Sequence, residues 1–484
     1  MKFVIKFFSE IAIKSKPVRR RFVDKLVENV RLVLRKIDPA IEVRRYWDKL
    51  EVQSAANETV LRQIVDALQC TAGITYILEV QTFPLRALDE LVEDILPLYA
   101  SRLPGRTFAV RCRRNGEHDF TSIDVERTVG AALMACSGAV GVDLRKPEVT
   151  VDIEISKRTL YVVGQRHRGL GGYPVGSVDP VISLISGGFD SPVASYLTMR
   201  RGMRTHFLFF NLGGHDHEIG VKEVALYLWQ KYGCGQRVLF ISVPFEAVVA
   251  ELLTNIQNSL MGVILKRMML RVADRIAAEL EVDALVTGEC VAQVSSQTLR
   301  NLSVIDDVSD RLVLRPLIAT DKEDIVRMAT DIGTRDFAAS MPEYCGVISV
   351  NPATRARLER VRAEEERFDM RILDDALANI RQTRIDRLAD EALVKTEVEV
   401  LSIPLAGATI IDIRHPDEEA LAPLRFSTRS NPVLKIPFYQ LHKTAAGLPR
   451  EATYMLYCGQ GVMSRLHASH LQAEGTLQVK VYAP

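Results

Sequence analysis

Four short apolar runs constrain the middle of the chain more than any other feature: VISLI (181–185), THFLFFNL (205–212), RVLFISV (237–243) and DALVTGE (283–289). They lack the apolar/polar alternation of a strand with one wet face, so they suit strands buried on both sides. Helical patterns separate them, in SPVASYLTMRRG, EIGVKEVALYLWQKYG and ILKRMMLRVADRIAAEL. Strand and helix in alternation predict a doubly wound parallel sheet.

That sheet leaves much of the 484-residue chain unaccounted for, and a chain of this length exceeds a single core. Three or four domains are expected. Before the sheet the pattern is α+β. KFVIKFF alternates, residues 17–36 have helical periodicity, and IEVRRYWDKLEVQ returns to extended structure. Residues 58–165 carry two more helical stretches and the strands TFAVRCRR, EVTVDIEIS and TLYVVGQRHRG. GLGGYPVGSVDP (169–180) reads as a boundary. After the sheet, the charge-dense residues 354–397 read as helices reaching toward a last module. That module, 405–484, is a small α/β domain with strands at ATIIDIRHP, LKIPF, ATYMLYC and LQVKVYAP.

Composition closes off several classes. Seven scattered cysteines include no C-x-x-C pair, so neither zinc ribbons nor cysteine-ligated Fe–S clusters are expected. The opening MKFVIKFFSE has too short an apolar part for a signal peptide. No apolar run approaches the roughly 18–20 residues that span a membrane, and a cytoplasmic location is expected. Net charge is only +1, yet Lys14–Lys36 holds nine Lys/Arg against two acids. Taken alone, that cluster is as readily a solvated helix face as a polyanion site.

The strongest motif is VISLISGGFDSPVA. A buried strand ends at Ser186-Gly187-Gly188-Phe189-Asp190-Ser191, and a helix follows. Two glycines expose backbone N–H groups, two serines add hydroxyls, and a helix start adds its positive dipole end. Together they make a phosphate cradle with no Walker lysine and no G-x-G-x-x-G. SGGFDS resembles the pyrophosphate loop of PP-loop ATP pyrophosphatases. Later strand ends add Phe210 and Asn211, Thr287-Gly288-Glu289, the segment 293–298, Arg315 and Lys322.

Near the end, YMLYCGQGVMSR delivers one cysteine, Cys458, into a glycine-containing loop. The loop alone reads equally as an inert core cysteine or a reactive one.

Together, SGGFDS, GVILKRMML, TGE with QVSSQT, MPEYCGVIS and YCGQGVMSRL are similar, in order and spacing over essentially the whole chain, to the bacterial tRNA 4-thiouridine synthetases (tRNA sulfurtransferases) in their long form. The resemblance implies four domains: ferredoxin-like (1–60), THUMP (61–165), PP-loop adenylation with C-terminal linker helices (176–395) and rhodanese-like (405–484). It implies ATP contacts at Leu184, Ile185, Lys266, Gly288 and Gln297, which join the loop residues Ser186, Gly187, Gly188, Asp190 and Ser191 and the strand-end residues Phe210 and Lys322 as the expected ATP site. Asp190 matches a required aspartate, and a helix N-cap is its plainer role. Lys266 matches a phosphate ligand, and a snorkelling surface lysine is the plainer reading there. RNA contacts are expected from Lys14, Arg19, Arg20, Arg21, Arg111, Arg113, Arg114, His118 and Arg127.

By the same resemblance Cys458 carries a persulfide in a rhodanese-like domain that includes Asp412, and Cys345 pairs with it in a disulfide during turnover. The other five cysteines read as small core residues. ATP with Mg2+ would activate O4 of a tRNA uridine, by resemblance uridine 8, and sulfur would replace it. The persulfide attacks directly, or Cys345 releases its sulfur. A cysteine desulfurase as sulfur donor and a disulfide reductant are the implied partners. A homodimer, and a second role toward the sulfur carrier of thiamine thiazole synthesis, are compatible with the family. Two other classes fit parts of the pattern: an ammonia-delivering PP-loop ligase, and an RNA-binding protein with a vestigial nucleotide site.

Overall fold

The computed structural model describes residues 1–212, 215–341, 351–388, 398–414, 416–424, 431–445, 447–459, 461–473, 475 and 477–484. The chain divides into two units, Met1–Gly172 and Tyr173–Pro484. The division falls inside the Gly/Pro-rich stretch at 169–180.

The first unit opens with β1 (Lys2–Phe7), α1 (Ser9–Ala12), α2 (Lys16–Leu34), β2 (Glu42–Arg45), β3 (Lys49–Gln53), α3 (Glu58–Gln69) and β4 (Ile74–Pro84). These strands form an antiparallel ferredoxin-like sheet in the order β2-β3-β1-β4. β1 pairs with β3 on one edge and β4 on the other, so the fold closes at β4 and not at residue 60.

Next come α4 (Leu91–Tyr99), β5 (Thr107–Asn115), α5 (Ser122–Cys136), β6 (Gly141–Val142), β7 (Val149–Ser156) and β8 (Thr159–Gly171). β8 pairs with β4 along its length, which makes one eight-stranded sheet, β2-β3-β1-β4-β8-β7-β5-β6. α4 and α5 pack Leu91, Ile95, Val125 and Val129 onto its Phe108, Val151 and Ile153. Three α-helices stand between 58 and 165 where two were expected. The shortest, α4, contains Pro97, a residue that reads as a helix breaker.

The second unit builds the parallel sheet from β9 (Val178–Leu184), α6 (Asp190–Arg200), β10 (Met203–Asn211), α7 (His215–Tyr232), β11 (Leu239–Pro244), α8 (Glu246–Asn255), α9 (Met261–Glu279), β12 (Ala284–Val286), α10 (Leu299–Asp306), β13 (Leu312–Leu314), α11 (Lys322–Ile332), α12 (Arg335–Ser340) and the antiparallel edge strand β14 (Arg381–Arg384). The order is β13-β12-β9-β10-β11-β14. From β9 the chain moves outward through β10 and β11, then returns to β9's other side for β12 and β13. Crossovers therefore part at the carboxyl end of β9, where open α/β sheets hold their ligands.

Residues 389–397 of the charged stretch lie outside the described residues, and its earlier part includes the helices Leu358–Glu365 and Arg371–Ala378. Val361, Phe368 and Leu373 pack into the core under α8 and α9, and Glu365 pairs with the buried Arg267.

The last strands, β15 (Val400–Leu401), β16 (Thr409–Asp412), β17 (Val433–Lys435), β18 (Tyr454–Tyr457) and β19 (Val479–Tyr482), form a second parallel sheet in the order β15-β19-β18-β16-β17. Helices Phe438–Ala445 and Val462–Ala473 accompany it.

Candidate active site

The phosphate loop joins the carboxyl end of β9 to α6. The Ser186 N–H donates to Ser191 Oγ at 2.8 Å, and the two hydroxyls lie 3.0 Å apart, so the loop is tied across its mouth. Ile185 is buried, and its N–H donates to Leu208 O on β10. Gly288, just past β12, comes so close that a Cβ there would lie 2.7 Å from Ser191 N. Only glycine fits.

Asp190 is the first residue of α6, and Phe189 stands at the N-cap. Lys322 Nζ lies 2.7 Å from its Oδ1, and Gln293 Nε2 donates to its Oδ2 at 2.9 Å. Both oxygens are thus oriented by side chains from beyond other strands. Lys322 also lies over the Phe189 ring.

Lys266, on α9, pairs with Glu289 Oε1 at 2.6 Å, and Arg315 Nε donates to Oε2 at 2.9 Å. Asp306 grips the other end of Arg315. Burial pushes the Glu289 carboxyl up, but Lys266 and Arg315 overcome it and hold it below the usual carboxylate range. Lys266 is thus held by an ion pair to a buried carboxylate one residue past Gly288. Gln297 is buried, and its Oε1 has no hydrogen-bond partner among the described residues. A buried unpaired acceptor is costly unless a ligand completes it.

The Phe210 ring packs edge-on against Phe245 in the core. Glu289, Gln293 and Arg315 belong to the constellation, although the sequence placed them beyond strand ends without giving any of them a specific role. Their signal was that position, shared with residues that do nothing.

In the last sheet, Cys458 follows β18 and is buried. The Ser464 N–H donates to its Sγ at 3.3 Å, with the Ser464 hydroxyl at 3.4 Å. Gly461, at φ +68, turns the chain between them. Beside the loop, Asp412 is buried in a two-pronged pair with Arg414, whose guanidinium lies over Tyr457. Cys345 lies outside the described residues. Of the five cysteines expected in the core, only Cys112 and Cys234 are buried. Cys136, at the end of α5, is exposed, and Cys70 and Cys290 are half-buried.

The first unit carries a basic cleft of about 790 Å3 lined by Arg102, Arg111, Arg113, Asp152, Arg166 and His167. Strand alternation puts Arg111 and Arg113 on its face of β5. Arg114 points elsewhere, toward His118 Nδ1 at 3.1 Å and the Phe120 ring, while His118 Nε2 meets Lys157 O. Arg114 and His118 thus brace a loop. Arg127, Lys14, Arg20 and Arg21 are exposed, and Arg19 lies over Trp47. No described helix is long and apolar enough to cross a membrane.

Sequence comparison assigns the whole chain. It is 54% identical over 485 residues to the tRNA sulfurtransferase of Azotobacter vinelandii, and 52% identical to that of Pseudomonas putida, each alignment covering both chains in full. The chain belongs to the tRNA sulfurtransferase family. As a tRNA sulfurtransferase, it thiolates tRNA in an ATP-dependent reaction. Family profiles match a thiamine biosynthesis protein (ThiI) domain over residues 176–370, a THUMP domain over 86–163 and a ThiI ferredoxin-like domain over 2–77. The crystal structure of a 4-thiouridine synthetase–RNA complex with bound ATP is 25% identical, with a TM-score of 0.70 over 79% of this tRNA sulfurtransferase and 99% of that chain.

Proposed function

We propose that the phosphate loop adenylates a tRNA uridine at O4 and that Cys458 supplies the sulfur that replaces it. The observation that carries this reading is the tied loop Ser186–Ser191 at the switch point of β9, with Gly288 pressed onto it. The uridine O4 attacks the α-phosphate of ATP and pyrophosphate leaves, turning a poor leaving group into AMP. Lys266, fixed by Glu289, and Lys322 face the charge that develops on the phosphates. If Mg2+ accompanies the triphosphate, Asp190 would be the loop carboxylate to hold it, and the ion would offset charge on the phosphates. Leu184, Ile185 and Phe210 meet the nucleotide through their main chain, and the Gln297 amide through its unpaired oxygen.

The terminal sulfur of the Cys458 persulfide attacks C4 and AMP leaves. Cys345 thiolate then attacks Cys458 Sγ, which forms a disulfide and releases 4-thiouridine. Attack by Cys345 before the transfer would instead deliver hydrosulfide. Both routes end in a Cys345–Cys458 disulfide that a two-electron thiol reductant must reopen. A cysteine desulfurase loads Cys458. Phosphate contacts from the basic cleft hold the tRNA by shape.

The test is mass spectrometry of tRNA from cells lacking the protein, complemented with wild type, Asp190→Ala or Cys458→Ala. Loss of 4-thiouridine at position 8 in all but the wild type supports the reading. Its retention with Cys458→Ala would assign the sulfur to another source.

A further inference from the structure

α12 is only six residues long, yet it touches both halves of the proposed chemistry. Immediately after it, Met341 sets its thioether against the phosphate loop and α7 together. A Cβ on Gly187 would lie 2.7 Å from Met341 Sδ, and one on Gly220 would lie 2.5 Å from it. Gly220 sits in the first half of α7, an 18-residue helix, where glycine is disfavoured without a packing reason. The sulfur of Met341 is that reason.

At the middle of α12, Phe337 is 2% exposed. Its ring lies 4.5 Å from Phe438 and 5.3 Å from Tyr227 of α7. The Phe438 N–H donates to Ile413 O, and the Ile413 N–H donates to Tyr457 O, the residue before Cys458. Each step of this path is a packed or hydrogen-bonded contact, the kind of continuous connection that carries coupling between sites.

We propose that Met341 is a positioning residue that couples the phosphate loop to the domain carrying Cys458. Its seat between Gly187 and Gly220 fixes the end of α12, and Phe337 transmits that position to Phe438 and the Cys458 strand. The inference rests on the sulfur route proposed above. Met341 contacts no reacting atom, so its loss should separate the two half-reactions rather than slow both.

The test uses full-length protein with unmodified tRNA, ATP, and a cysteine desulfurase with cysteine. Pyrophosphate release and 4-thiouridine formation are measured side by side. Met341→Ala and Gly220→Ala should leave pyrophosphate release within about twofold of wild type and lower thiolation roughly tenfold. Met341→Leu, which keeps the volume, should restore most of the thiolation. In the double variant Gly220→Ala/Met341→Ala the added methyl meets no sulfur, so its loss should be no greater than that of the worse single variant.

Equal loss on both readouts, or single effects that multiply in the double variant, would overturn the coupling. Should Gly220→Ala not fold, the Met341→Ala and Met341→Leu pair decides alone. Cys458→Ala is the control for the underlying route. If it still thiolates, that route fails; if it is inactive while the Met341 variants match wild type in both readouts, only the coupling fails.

Discussion

Lys322 Nζ lies 2.7 Å from Asp190 Oδ1, bringing a side chain from the start of α11 onto the carboxylate that opens α6. Lys322 is 44% exposed, so the pair adds little to stability, on the order of 0–1 kcal/mol. Its effect should be kinetic. Asp190→Asn is expected to abolish tRNA-dependent pyrophosphate release with a thermal midpoint near that of wild type. Lys322→Ala should raise the KM for ATP and lower kcat while leaving unfolding unchanged. Steady-state kinetics beside calorimetry checks both, and a collapse of the midpoint in either variant would make the pair structural.

Glu289 is a different case, because it is buried between two cations. Deleting it leaves Lys266 without its ion-pair partner and Arg315 held by Asp306 alone, and removing one partner of a buried network typically costs about 3–5 kcal/mol. Glu289→Ala should therefore unfold at lower denaturant than wild type, whereas Asp190→Asn should not. The acid dependence has a fixed sign. The folded-state pKa is depressed, so the stabilisation is present above the unfolded carboxyl's value and is lost as pH falls through the folded one. Glu289→Gln should flatten the acid limb of the unfolding profile.

The Glu223 carboxylate on α7 lies 3.3 Å from the His467 ring, on a helix of the last sheet, and both side chains are buried. Burial pushes Glu223 up to about 8. Between the unfolded carboxyl value and pH 8 the folded state keeps a proton that the unfolded chain has lost. Stability from this group therefore falls as pH rises through that window, by roughly 1.4 kcal/mol per pH unit at the steepest. Glu223→Gln, neutral throughout, should remove the decline. Urea unfolding at intervals from pH 5.5 to 9 measures it; equal slopes in wild type and variant would mean that the buried carboxyl does not carry the proton.

What could be read without coordinates follows from locality. The phosphate loop is strand, loop and helix within fourteen consecutive residues, so its geometry is written in one place. Gln293 reaches Asp190 across 103 residues of sequence, and nothing near Gln293 distinguishes it from Gln297. Phe209 and Phe210 adjoin in a run buried on both faces, so alternation gives no cue to where either ring packs. The ferredoxin-like boundary failed for the same reason: only pairing shows that β1 needs β4. Alternation along β5 did hold the answer for the arginines, since residues two apart share a face and Arg114 is out of step with Arg111 and Arg113.

That difference gives the sharpest test of the RNA interface. Arg111 and Arg113 line the basic cleft, while Arg114 is engaged with His118 and Phe120 on a loop. If the cleft holds RNA phosphates, binding releases fewer counterions once an arginine is removed from it. The slope of log K against log salt should become shallower by roughly 0.7–0.9 for each phosphate that is no longer neutralised. Arg113→Ala is expected to weaken tRNA binding across sequences and to reduce the slope by about that amount. Arg114→Ala should leave the slope unchanged and lower the melting temperature of the first unit instead, because it frees the loop from its brace. Filter binding between about 50 and 300 mM salt separates the two. A slope change in Arg114→Ala, with none in Arg113→Ala, would move the RNA to the other face of β5.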